Sequence, residues 1–333
     1  VSSLSPKGLV SGFQTRDGHD PSLLAKMNHH VMVVKDWTEI LGLHTAAQEE
    51  IYSVMRGAYD GFVERGFGNG VLRKYDTHFT VLAGCTPAIY GSKQAALGER
   101  FLKYHMQKGV GFNSDDAIRS AMSNLNKELE MRGELREKVA AFFMNFGDAE
   151  EKMRLPELPE WAMNRLGALS QLAGMARGVV QRDFRGENIQ YRAQHEVATR
   201  LSKQGAKLLL SLGMIKNKKF YGIKKDGKEL KSKATFLTLA DYAIVERVIL
   251  DSCYGFQLDV LLALGEAKAP LSFQELVDLS KVSATTLSRV LGDILELGIA
   301  RREGIVRQYV YTLSERVKVL FKQAGLVGRT AKL

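Results

Sequence analysis

HHVMVVKDWTEI, residues 29–40, is the stretch on which the fold turns. Its four consecutive apolar residues, Val31 to Val34, suit a strand buried on both faces, the condition of a parallel sheet. The run ends in Lys35 and Asp36. Ligands in such sheets sit beyond the carboxyl ends of the strands, so Asp36 is expected at a ligand site. A helix-like segment at 21–28 precedes the run. Downstream, Ala46 to Phe62 carries Ile51, Val54, Met55, Ala58 and Phe62 at helical spacing. A hairpin is expected from Phe67 to Thr77, with Gly68, Asn69 and Gly70 near its turn. A second apolar strand, FTVLAGCTP at 79–87, again breaks into small polar residues. Strand, helix, hairpin, strand, helix is the order of an α/β nucleotide-binding core.

Composition narrows the setting. The 333 residues exceed one ordinary core and suggest about two or three units. With 45% hydrophobic and 25% charged residues the chain has the make-up of a globular protein. No apolar stretch approaches the roughly 18 residues of a membrane span, and the first residues lack the basic start, apolar core and small-residue cleavage site of a leader, so neither a membrane nor a secreted protein is expected. Cys85 and Cys253 stand far apart with no CxxC partner, so neither a disulfide framework nor a structural zinc is expected, and a reducing cytoplasm is the expected location. The chain opens with Val1 and its first methionine is Met27, which leads us to expect further sequence upstream. The net charge of +10 favours polyanions. It is concentrated: between Lys216 and Lys233, eight lysines face only Asp226 and Glu229.

The ordered set VVKD, AYDG at 58–61, FGNG at 67–70, LAGCTPAI at 82–89 and LGERF at 97–101 resembles the back half of AAA+ P-loop ATPases of phages and other mobile elements, some related to the MCM helicases. The opening SSLSPKGLVSG resembles the segment that follows the phosphate loop there. Several motifs in order over about 100 residues are more specific than any single pattern. The resemblance implies that Asp36 is the Walker B aspartate, holding magnesium directly or through water. It implies Thr86 as the sensor that reads the γ-phosphate or attacking water, Arg100 as an arginine finger reaching a neighbouring subunit's nucleotide, and Arg165, in WAMNRLGALSQLAGMARG, as the second sensor. It further implies ATP and magnesium as cofactors and a ring of identical subunits, six by expectation. In related ring helicases a hairpin before the sensor strand grips single-stranded DNA in the channel; here Arg73 and Lys74 would do so.

Two departures stand against this pattern. Lys35-Asp36-Trp37 lacks the glutamate that usually activates water, leaving Glu39 as the substitute. No GxxxxGK[ST] string occurs; GIKKDGKE at 222–229 lacks the hydroxyl residue and the flanking strand and helix, so the phosphate loop is expected upstream. Taken singly, an apolar run ending in Asp is more often a structural strand, and an arginine in Arg100's position a solvated one. His19, His29, His30 and His44 match no compact metal-ligand spacing.

The remainder reads as helices and a basic insertion. Asp115 to Phe146, Glu160 to about Gln181 and Tyr191 to Met214 are expected helices, forming the lid of the ATPase module. KNKKFYGIKKDGKELKSK suggests a hairpin around Asp226-Gly227, with Lys218, Lys219, Lys224 and Lys225 as phosphate contacts and Phe220 or Tyr221 to stack on a base; the plain alternative is a solvated linker. At the C-terminal end Gly255 to Leu264 is a helix. Ser272 and Glu275 form a capping box before the next, and Ser283 caps a third whose stripe is Leu287, Val290, Leu291, Ile294 and Leu295. A hairpin around Glu303-Gly304 and a last helix after Ser314 complete a winged helix-turn-helix pattern. In that fold Thr285, Thr286, Ser288 and Arg289 would face the major groove of duplex DNA, while Arg301, Arg302 and Arg307 would hold phosphates; the same fold also docks proteins.

The expected organisation is thus part of an AAA+ α/β core over 1–112, a helical lid over 113–215, a basic hairpin or linker over 216–238 and a winged-helix domain over 239–333. The expected activity is that of an ATP-driven, ring-forming DNA motor, a replicative or replication-associated helicase of a phage or mobile element. A helicase loader or remodelling ATPase is the alternative within the ATPases. A winged-helix DNA-binding regulator with a degenerate core is the alternative outside them.

Overall fold

The computed structural model describes residues 4–13, 15–90, 100–106, 113–144, 157–183, 188–191, 193, 195–217, 237–253, 255–306 and 308–327. The chain is mixed α/β, with a small parallel sheet and many helices, and divides into two compact units, Val1–Leu102 and Lys103–Leu333.

The first unit opens with a short helix, α1 (Pro6–Leu9), whose N-cap Ser5 accepts a hydrogen bond from Gly8 N–H at 3.1 Å. Then come β1 (Val31–Val34), α2 (Thr38–Leu41), α3 (Thr45–Tyr59), β2 (Phe62–Gly66), β3 (Leu72–Asp76) and β4 (Thr80–Ala83). Strands β1 and β4 pair in parallel, from Val31 opposite Thr80 to Val34 opposite Ala83, while β2 and β3 form an antiparallel hairpin. His44 accepts the Ala46 N–H and starts α3, which buries Ile51, Tyr52, Val54, Met55 and Ala58. These side chains meet Met32, Val34, Trp37 and Ile40 in one core.

The expectation that β1 is buried on both faces is corrected. Its residues alternate: Met32 and Val34 are buried, whereas Val31 and Val33 are 60% and 48% exposed. Two strands with one covered face behave as a half-buried strand does, and the opposite face, with Leu82 of β4, stays open among the described residues. Phe62 does not close the stripe of α3. It begins β2, so the hairpin is longer than read, with Gly68-Asn69-Gly70 at its tip.

The second unit holds α4 (Ser114–Asn124), α5 (Glu128–Met144), α6 (Glu160–Ala176), α7 (Thr199–Asn217), α8 (Leu239–Asp251), α9 (Phe256–Glu266), β5 (Leu271–Ser272), α10 (Phe273–Ser280), α11 (Ala284–Glu296), β6 (Ala300–Glu303), β7 (Val310–Leu313) and α12 (Glu315–Ala324). Helix α6 is its centre. It buries Leu166, Leu169, Leu172 and the small residues between them, and packs on α7, α8, α9 and α12. Helices α6 and α7, read from the sequence as a lid, therefore share one core with the C-terminal elements. Burying apolar side chains at roughly 25 cal/mol per Å² drives this association, and the small residues of α6 allow neighbours to approach from several sides. By contrast α4 and α5, helical as read, bury no side chain among the described residues.

Helix ends differ from the reading where packing competes. α6 stops at Ala176, and the chain continues to an isolated bridge between Arg182 and Ile189. α7 starts at Thr199, because the chain before it runs beside α6, where Glu196 N–H donates to Gly174 O at 3.1 Å. α8, absent from the sequence reading, opens with a capping box between Thr238 and Asp241. At the C-terminal end β5, β7 and β6 form an antiparallel sheet in that order beside α9, α10 and α11.

Candidate functional site

The geometry that matters lies at the carboxyl ends of β1 and β4. The ladder continues past the strands: Gly84 N–H donates to Val34 O at 3.1 Å, and Trp37 N–H donates to Gly84 O at 2.7 Å. A side chain at position 84 would sit 2.8 Å from Lys35 O, so only glycine lets the backbones approach this closely. The turn that follows β1 and the loop that follows β4 are thereby held together. Thr38 joins them. Its N–H donates to Asp36 Oδ1 at 2.8 Å, its hydroxyl accepts from Thr86 N–H at 3.3 Å, and the two threonine hydroxyls lie 3.2 Å apart. Cys85 Sγ is 3.8 Å from the Thr38 hydroxyl and exposed.

Asp36 is exposed, and hydrogen bonds from the Thr38 hydroxyl and then the Thr38 N–H hold its carboxyl below the usual carboxylate range. It is therefore ionised at neutral pH, and among the described residues no basic side chain forms an ion pair with it. Its second oxygen is open to a hard cation. Magnesium keeps several waters and takes the rest of its shell from one or two carboxylates and from substrate phosphates, so a single carboxylate of this kind fits that ion. Sequence reasoning named Asp36 and Thr86, which the structure brings to one place. It missed Thr38, whose only signal was its position two residues after the aspartate, where an Asx-type bond forms.

The other expected residues of the ATPase motif are placed as follows. Glu39 is exposed in the first turn of α2. Arg100 donates to Asp60 Oδ2 at 3.0 Å and lies over the Tyr59 ring, with its side chain 14% exposed, so it is held on the end of α3 of its own chain. Arg165 lies on α6 in the second unit, 5.6 Å from the centre of the Tyr242 ring and against Gly325 at the end of α12. The hairpin residues are engaged within the first unit. Arg73 donates to Ser11 O and Phe13 O at 3.1 and 2.8 Å and pairs with Asp20 at 3.5 Å. Its donors are spent on fixing the N-terminal segment, which leaves little to grip a DNA strand. Lys74 pairs across the hairpin with Glu64.

In the second unit, Ser283 caps α11, and its hydroxyl is 3.0 Å from that of Thr286. Thr285, Ser288 and Arg289 are exposed on α11, and Leu287, Val290, Leu291 and Ile294 form the buried stripe; Leu295, read as part of it, is only half-buried. Arg301 and Arg302 project from β6, with Arg302 stacked on Tyr309 at 4.3 Å. Beside α11 opens a cavity of about 500 Å³ lined by Arg177, Arg182, Phe256, Gln257, Arg289 and Asp293, among others. Two of its arginines are internally committed: Arg182 donates twice to Asp293 Oδ1, and Arg177 pairs with Glu196 and donates to Ser252 O. Arg307 and the lysines Lys218, Lys219, Lys224 and Lys225 lie outside the described residues.

Among the described residues no group of three His, Cys, Asp or Glu side chains is placed to hold a metal. His44 caps α3, His29 stacks with His78, and His30 Nδ1 lies 2.6 Å from Asn28 O. No described helix is long and apolar enough to cross a membrane. Compared with protein-family models, with curated proteins and with solved structures, the chain gives no match.

Proposed function

We infer that the protein is an ATP-driven DNA motor: a ring-forming ATPase of AAA+ type whose C-terminal elements form a winged helix-turn-helix that meets duplex DNA. One observation carries the reading. Two parallel strands end side by side in an ionised aspartate and a threonine, tied through Thr38, at the edge where α/β sheets take their ligands. Asp36 would hold magnesium, and Thr86 would contact the terminal phosphate. Magnesium-bound ATP supplies the transferable phosphoryl group and the charge that offsets its negative oxygens. Glu39 is the carboxylate left to orient water. The reading requires a phosphate-binding loop, and no GxxxxGK[ST] string occurs between Val1 and Leu333, so its assays use the polypeptide together with any segment that precedes Val1.

The order helix, helix, helix, hairpin, helix over α9 to α12 supports a winged helix, and the exposed Thr285, Ser288 and Arg289 with Arg301 and Arg302 support DNA as its partner. A subunit ring of six, with Arg100 serving the neighbour's nucleotide, completes the proposal; there Arg100 must exchange Asp60 for phosphate oxygens. Strand separation on a forked DNA duplex tests it: unwinding that requires ATP and magnesium is the expected result.

The internal pairing of Arg100 favours one second reading, a DNA-binding regulator whose core does not turn over ATP. Duplex binding of equal strength with and without nucleotide, and no unwinding, would select it.

A further inference from the structure

We propose that Thr38 is the positioning residue that couples Thr86 to Asp36, so that the two strand ends meet a nucleotide as one unit; this rests on the ATPase reading above. The backbone ladder through Val34, Gly84 and Trp37 sets the two strand ends side by side, but it fixes neither the Asp36 nor the Thr86 side chain. The direct side-chain path is a single hydroxyl. Thr38 donates its N–H to Asp36 and accepts the Thr86 N–H, while one further proton is shared with the Thr86 hydroxyl at 3.2 Å. A hydroxyl offers one donor and two acceptor sites, so the two contacts with Thr86 occupy two of the three and restrict the rotamer of Thr38. With Thr38 so restricted, the Thr86 hydroxyl is held by one contact among the described residues and keeps hydrogen-bonding capacity for a ligand.

The contacts lie at the surface, where a hydrogen bond adds only about 0.5–1.5 kcal/mol to stability. Their larger consequence is geometric, since misplacing a reacting group by about 1 Å can cost a hundredfold in rate. Valine at position 38 has nearly the shape of threonine and keeps the N–H to Asp36, but loses every hydroxyl contact; serine keeps them.

The test compares Thr38→Val, Thr38→Ser and Asp36→Ala in the full-length protein. For Thr38→Val, kcat for ATP is expected to fall about tenfold to a hundredfold with KM within about threefold of wild type, and Thr38→Ser is expected to restore most of the loss. An independent reading is hydrogen exchange of the Thr86 amide followed by NMR without nucleotide. The Thr38 hydroxyl accepts that N–H, so exchange should speed up in Thr38→Val and stay slow in Thr38→Ser. Wild-type kcat in Thr38→Val with unchanged Thr86 exchange, or a Thr38→Ser as impaired as Thr38→Val, overturns the proposal. Unchanged hydrolysis in Asp36→Ala instead overturns the ATPase reading, and Thr86 exchange in Thr38→Val still decides the coupling.

Discussion

Asp36 of the first unit is handled in the opposite way from the paired carboxylates of the second, and from Asp20, Asp60 and Glu64 of its own unit. In the second unit, Glu196 meets Arg177, Asp293 meets Arg182 and Asp241 meets Lys216, each beside additional hydrogen bonds. In the first unit, Asp36 stands at a strand end with hydrogen bonds from Thr38 and an open face toward solvent. A carboxylate neutralised within the chain holds helices together; Asp36, stabilised by neutral donors, stays ionised with its charge uncompensated among the described residues. The same contrast applies to the arginines. Arg177, with its side chain only 7% exposed, fastens the end of α6 to Glu196 and to the end of α8, whereas Arg289 on α11 stays exposed.

Breaking the internal pairs should therefore cost stability, and breaking the open site should not. The largest effect is expected for Arg177→Ala, which removes a largely buried ion pair with Glu196 and the hydrogen bonds to Ser252 O: about 3–5 kcal/mol by urea denaturation. Gly265→Ala comes next. Its new methyl group would lie 2.2 Å from the Phe321 ring, and such overpacking costs roughly 1–3 kcal/mol on the same assay.

Thr238→Ala removes half of the capping box of α8 and should cost about 1 kcal/mol. It also carries a pH signature. Burial pushes the Asp241 carboxyl up, but hydrogen bonds from Thr238 and the charge of Lys216 outweigh it and hold the group below its ordinary value of 3.8. A depressed folded value means that Asp241 contributes stability above that ordinary value and loses it as pH falls through the folded one. Acid unfolding curves should show this loss in wild type and a shallower one in Thr238→Ala. The smallest effect on stability is expected for Asp36→Ala, within about 0.5 kcal/mol of wild type, because the carboxyl is exposed and makes only local hydrogen bonds with Thr38 among the described residues.

Much of the local structure was legible. The capping box of Ser272 and Glu275, the stripe of α11 and the apolar run of β1 all express rules that act over a few residues. α8 was less legible than α10, because Asp241 stands where a capping box usually carries Glu or Gln. The open face of β1, the engagement of Arg73 with residues 11–20 and the central place of α6 were not legible, since each depends on which distant segment arrives alongside. Of the candidate site, the two strand-end residues were visible as sequence patterns. Their link through Thr38 needed the register of Val34 opposite Ala83 and the absent side chain of Gly84.

The central claim is that the open carboxylate serves an external magnesium nucleotide. Its most direct test is DNA-stimulated ATP turnover by the full-length protein, measured beside Asp36→Ala at matched thermal stability. Turnover in wild type and its loss by at least about a hundredfold in the variant is the predicted result. Equal turnover in the two proteins, or none in wild type with or without DNA, contradicts the account.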